Sequence, residues 1–176
     1  PYLISMAILR PWKPVNDTIE YNQQLLIDLV ATQLINRRLE GRARGGGSFL
    51  QAQVNQEDVS RSVDGTFISV VPIGDDWQAA LADVRGVPAA TEAGAKQADD
   101  IVGAVDIRET IASPQTALDV FRGMKDLYTP ERLLESTRRQ FTGVTTRAIL
   151  VSPKPVDNGE ALLNAALTRD VSADAS

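Results

Sequence analysis

The sequence predicts an α+β fold, with a mainly antiparallel sheet and helices packed on one face. Strand-like apolar segments lie near both ends of the chain, two further extended segments follow each other in its first half, and helical patterns fill most of its second half. Strands and helices segregated in this way are typical of α+β proteins. The predicted order is β-α-β-β-α-α-α-α-β, followed by a short helix in the C-terminal tail.

The first two elements are a strand and a long helix. The strand is predicted over residues 2–12, a segment rich in Leu and Ile. The helix that follows is predicted to be capped by Asp17, in a capping box with Glu20. It is expected to end near residue 42, because the glycines at 45–47 break it. Its apolar face is expected to consist of Ile19, Leu26, Leu29, Val30 and Leu34.

A pair of extended segments comes next, over residues 49–56 and 60–73. Their β-favouring residues include Phe67, Val70 and Val71. Either Gln56-Glu57-Asp58 or Asp64-Gly65 supplies residues for the bend between them.

Several helices follow the strand pair. The first is predicted to be capped by Asp75 or Asp76 and to end at Gly86, and another is expected to begin near Thr91. Two more begin with a hydroxyl residue before a proline, at Ser113-Pro114 and Thr129-Pro130, as favoured at helix N-termini.

The chain is predicted to close with a strand over residues 145–152 and a short helix over residues 160–167. Residues 1–168 are expected to form one domain and residues 169–176 a frayed tail. The abrupt start with strand-like residues suggests that the domain belongs to a longer chain.

The composition excludes much catalytic chemistry, because the chain contains no His and no Cys. A His general base, a Ser-His-Asp triad, a thiolate nucleophile and a His- or Cys-ligated zinc are therefore impossible within these 176 residues. An active site built from carboxylates or Lys alone stays open. The net charge of −5 argues against nucleic acid as a partner, and no apolar run is long enough to span a bilayer.

Three kinds of local cluster invite a functional interpretation. The glycines at 45–47 follow a helix and lack the lysine of a phosphate-binding loop, so a helix stop is favoured over a nucleotide site. The paired acidic residues at 75–76 and 99–100 are adjacent on predicted helices and point about 100° apart, which disfavours metal binding. The basic residues Arg37, Arg38, Arg42 and Arg44 complement a helix C-terminus.

Several short motifs occur in a fixed order along the chain. Residues 33–39 read QLINRRL, residues 48–52 read SFLQA, and residues 77–81 read WQAAL. Further motifs follow at 94–100, 113–114, 129–131 and 149–154. In this order they make the chain similar to the insulinase/pitrilysin family of zinc peptidases, in particular its large bacterial periplasmic members. The similarity covers most of the chain, but the helices of the family are longer around residues 86–88.

This resemblance implies a fold like that of insulinase and mitochondrial processing peptidase. In that family, the catalytic domain binds zinc through an inverted His-x-x-Glu-His motif. A chain without His resembles instead the non-catalytic, C-terminal-type domain, which carries no catalytic residue and no zinc. The implied partners are the catalytic zinc domain, in the same or a partner chain, and a peptide substrate; the implied location is the bacterial periplasm. The alternative is an inactive partner subunit or a stand-alone interaction module.

Four residues around the glycine loop are the candidate contacts to a peptide or to a neighbouring domain: Arg42, Arg44, Ser48 and Phe49. Arginine next to a glycine-rich loop suits the binding of a peptide carboxylate or a partner surface. Under this interpretation, Phe49→Ala would alter cleavage by the complete enzyme and leave the domain folded.

Overall fold

The computed structural model describes residues 1–90 and 122–171. The strands within these ranges form a single antiparallel sheet in the order β2-β3-β1-β4, which confirms the predicted α+β class. In chain order the elements are β1 (Leu3–Pro11), α1 (Ile19–Arg44), β2 (Phe49–Val59), β3 (Val63–Pro72), α2 (Trp77–Ala90), a 3₁₀ turn (Lys125–Leu127), α3 (Pro130–Gln140), β4 (Thr145–Val151) and α4 (Gly159–Thr168).

One face of the sheet is buried. Along β1, Ile4, Met6 and Ile8 alternate with more exposed residues. Ile4 lies opposite Val70 of β3 and Leu150 of β4, so these side chains share a face. The strict alternation, with a period of two residues, is that of a sheet covered by helices on one side only.

The helices bury two apolar clusters. The first lies between the sheet and helices α1 and α2, and its buried residues include Ile4, Ile35, Leu39, Phe49, Val54, Ile68, Val70, Trp77, Leu81 and Val84. The second joins α1 to α3, and its buried residues are Ile27, Val30, Ala31, Leu34, Met124, Tyr128 and Leu133. A helix of 26 residues that packs in both clusters turns different residues inward along its length.

The predicted apolar face of α1 is therefore wrong in part. Val30 and Leu34 are buried, but Ile19 is 74% exposed and Leu29 is 41% exposed. Ile27 is buried in their place, because α3 lies against that side of the helix.

Helix α1 begins one residue later than predicted. Thr18, and not Asp17, is the N-cap: its backbone is extended and its hydroxyl accepts a hydrogen bond from the N–H of Tyr21 at 3.1 Å. The Asp17 carboxylate instead accepts a hydrogen bond from the Asn22 side chain. The end of the helix is confirmed at the glycine run, where Gly45 is the C-cap.

The bend between β2 and β3 lies at residues 60–62, so both predicted positions are wrong. Ser60 and Arg61 have positive φ angles of 54°, and an Asp58 carboxylate oxygen accepts a hydrogen bond from the Arg61 N–H at 2.6 Å. Asp64-Gly65 lies within β3, where Gly65 pairs with Leu9 of β1. Pairing on both sides of β3 outweighs the turn preference of this dipeptide.

Helix α2 is capped by the Asp76 carboxylate, which accepts a hydrogen bond from the Ala79 N–H at 3.1 Å, as predicted. Its predicted end at Gly86 is wrong, since the helix continues through Pro88 to Ala90. Glycine costs about 1 kcal/mol in a helix interior. Burial of Val84 and Val87 on either side offsets that cost.

The described elements after residue 128 have close to the bounds predicted from the sequence. Thr129 caps α3 by accepting a hydrogen bond from the Arg132 N–H at 3.3 Å, and Pro130 occupies the first turn. Strand β4 and helix α4 lie within one residue of their predicted bounds. The helices predicted to begin near Thr91 and at Ser113-Pro114 lie outside the described residues.

Arg85 connects the C-terminal helix to the rest of the domain. Its guanidinium donates hydrogen bonds to the backbone oxygens of Ala166 at 2.7 Å and Arg169 at 2.8 Å. A cation at a helix C-terminus also complements the helix dipole. Burial lowers the pKa of Arg85 and the nearby Asp170 opposes that shift, but a guanidinium stays protonated in proteins.

The link from α3 to β4 requires glycine at 143. A Cβ atom there would lie 2.6 Å from Ile8 Cγ2 and 2.7 Å from the Leu9 oxygen. Gly143→Ala is therefore expected to lower the free energy of unfolding by about 1–3 kcal/mol, measured by urea denaturation. The control is Gly41→Ala on helix α1, where a Cβ meets nothing within 4 Å and the expected effect is a gain of up to about 1 kcal/mol. Equal stability of the two variants would contradict this packing.

Candidate functional site

The glycine loop is a short, well-bonded junction between α1 and β2. Gly45 donates a hydrogen bond to the Gly41 oxygen at 2.9 Å, and Gly47 donates one to the Arg42 oxygen at 2.8 Å. Gly46 has a φ angle of +91°, a conformation that favours glycine. These contacts confirm a helix stop that satisfies the last carbonyls of the helix.

Asp83 of α2 binds both sides of this junction. One carboxylate oxygen accepts from Arg42 Nε at 2.7 Å, and the other accepts from the backbone N–H and the hydroxyl of Ser48, both at 3.0 Å. The side chain of Asp83 is only 12% exposed. Charge-assisted hydrogen bonds in a shielded position are stronger than those between neutral groups. Asp83 therefore fixes the end of α1, the start of β2 and the middle of α2 relative to one another.

Gly47 lies against this carboxylate. A Cβ atom at position 47 would be 2.8 Å from the Arg42 oxygen and 3.0 Å from Asp83 Oδ2. The absence of a side chain thus permits the close approach of the three elements.

The four candidate contact residues occupy different environments. Arg42 and Ser48 meet at Asp83, and Arg44 forms an exposed ion pair with Glu40 at 3.1 Å. Phe49 is fully buried in the core between the sheet and the helices, so Phe49→Ala is expected to cost about 3–5 kcal/mol of stability, and the expectation that this variant stays folded remains a prediction. A peptide- or domain-contacting role for the four residues stays a prediction.

The two remaining basic residues of this region, Arg37 and Arg38, differ in how deeply they are buried. Arg37 is exposed, whereas Arg38 is half-buried and burial lowers the pKa of its guanidinium. Because arginine stays protonated in proteins, this part of α1 keeps its positive charge.

A second polar cluster lies between the sheet and helices α1 and α3, and it has Gln140 at its centre. The Gln140 amide oxygen accepts from Thr32 and from Gln56, both at 3.1 Å, and its nitrogen donates to the Asp28 backbone oxygen at 2.9 Å and to Ser136 Oγ at 3.1 Å. Gln140 is 3% exposed. A buried amide with its hydrogen bonds satisfied stabilises one arrangement of the helices that it joins.

Arg10 extends this cluster to the sheet. Its guanidinium donates to the Gln140 backbone oxygen at 2.8 Å, to Thr66 Oγ1 at 3.1 Å and to Gln56 Oε1 at 3.2 Å. Sequence patterns missed Arg10, Gln140 and Asp83, because a single polar residue in an amphipathic segment carries no signal of the partner that it meets in space.

Within residues 1–90 and 122–171, no three His, Cys, Asp or Glu side chains are grouped so as to hold a metal ion. The polar clusters consist of arginine, amide, hydroxyl and carboxylate groups that form hydrogen bonds with one another. Their arrangement is that of structural junctions. In the same part of the chain, no helix combines the length and the apolar character needed to cross a bilayer.

Removal of the Asp83 carboxylate tests the junction. Asp83→Ala leaves the Ser48 N–H and the Arg42 guanidinium without this acceptor, and we expect a loss of about 2–4 kcal/mol in the free energy of unfolding. The matched control is Glu40→Ala, which removes an exposed pair worth less than about 1 kcal/mol. Chemical denaturation of both variants gives the comparison, and a loss at Asp83 no larger than that at Glu40 would contradict the anchoring role.

Comparison with known proteins finds structures that share this fold, although no sequence match is found. The sequence matches no protein-family profile and no curated protein. The structure is similar to the first half of the periplasmic protease PqqL from Escherichia coli, with a TM-score of 0.72 and 14% identity over 99% of this chain and 46% of that one. It is also similar to a predicted insulinase family protease from Yersinia pestis, with a TM-score of 0.62 and 14% identity over 94% of this chain and 43% of that one.

A third similar structure is pitrilysin, with a TM-score of 0.52 and 14% identity over 86% of this chain and 19% of that one. The chain thus spans less than half the length of each of these proteins. At such low identity the likeness concerns the fold. The chain has the fold of one domain of the insulinase- and pitrilysin-type proteases.

Proposed function

We propose that this chain is a non-catalytic domain of an insulinase-type zinc peptidase, where it forms part of the wall around the bound peptide. The observation that carries the proposal is the protease-domain fold along 99% of a chain that contains no His. The ordered sequence motifs support the same family independently of the fold.

The non-catalytic assignment follows from the chemistry of zinc. In the family that the chain resembles, two His of the His-x-x-Glu-His motif bind the ion, and the Glu between them activates water. This chain has neither His nor Cys to replace those ligands. Zinc and the catalytic groups are therefore assigned to another domain of the same polypeptide, and the alternative given below places them on a partner chain.

The proposed partners are that catalytic domain and a peptide substrate. The similar structures are proteases, and this chain corresponds to only part of each. The hydrogen-bonded junctions at Asp83 and Gln140 suit a domain that forms part of the wall around a bound peptide. Each junction holds several helices and strands in one rigid arrangement. A periplasmic location is part of the proposal, supported by similarity to a periplasmic protease.

The alternative is an inactive partner subunit of a two-chain peptidase, or a stand-alone interaction module. Size-exclusion chromatography and cross-linking with a catalytic partner chain distinguish these possibilities. A domain taken from within a larger chain is expected to show little specific self-association, whereas a separate subunit forms a stable complex with its partner.

The direct test is a peptidase assay on the isolated 176-residue chain, with fluorogenic peptides, in the presence and absence of zinc. We expect no peptide hydrolysis above the rate in buffer alone under either condition, because the chain contains no His to bind zinc. The positive control is the complete native protein with zinc. Zinc-dependent turnover that follows the pure chain through two further purification steps would overturn the proposal.

A further inference from the structure

We propose that Asn158-Gly159 is a site of spontaneous deamidation, and that the packing of α4 against the rest of the domain controls the rate of this modification. Asn158-Gly159 is the single Asn-Gly dipeptide among the 176 residues. An asparagine before glycine is chemically labile, because glycine has no Cβ atom to hinder the approach of its backbone nitrogen to the asparagine side chain. The modification is independent of the proposed peptidase role.

The reaction replaces the side-chain amide of Asn158 by a carboxylate. The Gly159 nitrogen attacks Asn158 Cγ and forms a bond to it. The Cγ–Nδ2 bond breaks, and the proton of the Gly159 N–H leaves with the side-chain nitrogen as ammonia. Water then opens the five-membered imide ring at either of its carbonyl groups, which gives aspartate or isoaspartate at position 158. The sequence of steps consumes one water molecule and involves no oxidation or reduction.

The folded backbone opposes this attack. Asn158 has a φ angle of 54° and a ψ angle of 30°. In an L-residue with this ψ angle, the next backbone nitrogen lies nearly opposite Cβ about the Cα–C bond, so the Gly159 nitrogen is directed away from the side-chain amide. Ring closure therefore requires the peptide group between Asn158 and Gly159 to rotate.

Two hydrogen bonds hold that peptide group in place. Its N–H, from Gly159, donates to the Val156 oxygen at 3.1 Å, and its C=O, from Asn158, accepts from the Leu162 N–H at 3.0 Å. The side chain of Asn158 makes no capping hydrogen bond to the helix. Because the bond from Leu162 belongs to the first turn of α4, rotation of the peptide group requires that turn to open.

Helix α4 is attached at the surface of the domain. None of its ten residues is buried, and Leu163, Ala166 and Leu167 are partly buried against the first apolar cluster. At its other end, Arg85 donates to the backbone oxygens of Ala166 at 2.7 Å and Arg169 at 2.8 Å. Elements with little buried surface open at a lower free energy than the whole domain. Opening of α4 is therefore the step that exposes Asn158 to deamidation.

The two products have different consequences for α4. Aspartate keeps the ordinary backbone and is a favoured N-cap residue, so the helix can pack again. Isoaspartate places one additional methylene group in the backbone and displaces the carbonyl that accepts from Leu162. The first turn then cannot re-form in its original geometry, and release of α4 becomes irreversible.

The Asp64-Gly65 dipeptide is an internal reference. An aspartate before glycine forms the same imide by loss of water, but this pair lies in β3, which pairs with both β1 and β2. Rotation of its peptide group requires disruption of the sheet. Isoaspartate at position 64 therefore reports opening of the sheet, whereas isoaspartate at position 158 reports opening of α4.

The experiment is incubation of the 176-residue chain at mildly alkaline pH, followed by peptide mapping with mass spectrometry and isoaspartate analysis. We expect Asn158 to be modified first, more slowly in the native chain than in urea. Arg85→Ala should raise the rate at Asn158 by about tenfold, because it removes charge-assisted hydrogen bonds that hold α4 closed. The rate at Asp64 should stay unchanged.

Two variants serve as controls. Gly143→Ala is expected to destabilise the whole domain through the α3–β4 link, and it should leave the rate at Asn158 unchanged. Gly159→Ala should nearly abolish the modification, because a methyl group hinders ring closure. A Cβ atom at position 159 would lie 3.4 Å from Val156 Cβ, which is an ordinary contact, so the helix is retained.

The proposal fails on any of three results: equal rates at Asn158 in the native chain and in urea, a rate that Arg85→Ala does not raise above that of Gly143→Ala, or modification of another asparagine ahead of Asn158. None of these measurements involves peptide hydrolysis, so they are distinguishable from a failure of the peptidase assay.

Discussion

The burial of only one face of the four-stranded sheet is the constraint on which the rest of the structure depends. Strand β1 lies between β3 and β4, and its inward side chains Ile4, Met6 and Ile8 define the buried face. Since antiparallel partners opposite each other share a face, the inward residues of the other strands are fixed by the same register. Among residues 1–90 and 122–171, the helices then pack against that one side of the sheet.

Two polar junctions specify how the helices lie on the sheet. Apolar burial supplies most of the stability, but it is non-directional and permits more than one helix position. The Asp83 carboxylate fixes α2 against the α1–β2 loop, and the Gln140 amide fixes α3 against α1 and the sheet. A buried group with satisfied hydrogen bonds loses them all if a helix shifts, so these junctions favour one arrangement.

The sequence was informative where local chemistry decides the structure. The Thr129-Pro130 helix start, the glycine stop after α1 and the β4 strand all follow from local residue preferences. It was misleading where tertiary contacts decide. Gly86 and Pro88 lie inside a helix because Val84 and Val87 are buried, and Asp64-Gly65 remains within a strand that pairs on both sides. The candidate site was predictable only as a loop: Arg42 and Ser48 were identified, but Asp83, which joins them, is distant in sequence.

The proposed function assigns the catalytic groups to another domain of the parent protein. The most direct test is determination of the complete native polypeptide sequence around these 176 residues. The account predicts a His-x-x-Glu-His motif upstream, within about two hundred residues, which is the length of one domain. A complete native protein without that motif would contradict the account and would favour an inactive subunit that works with a separate catalytic chain.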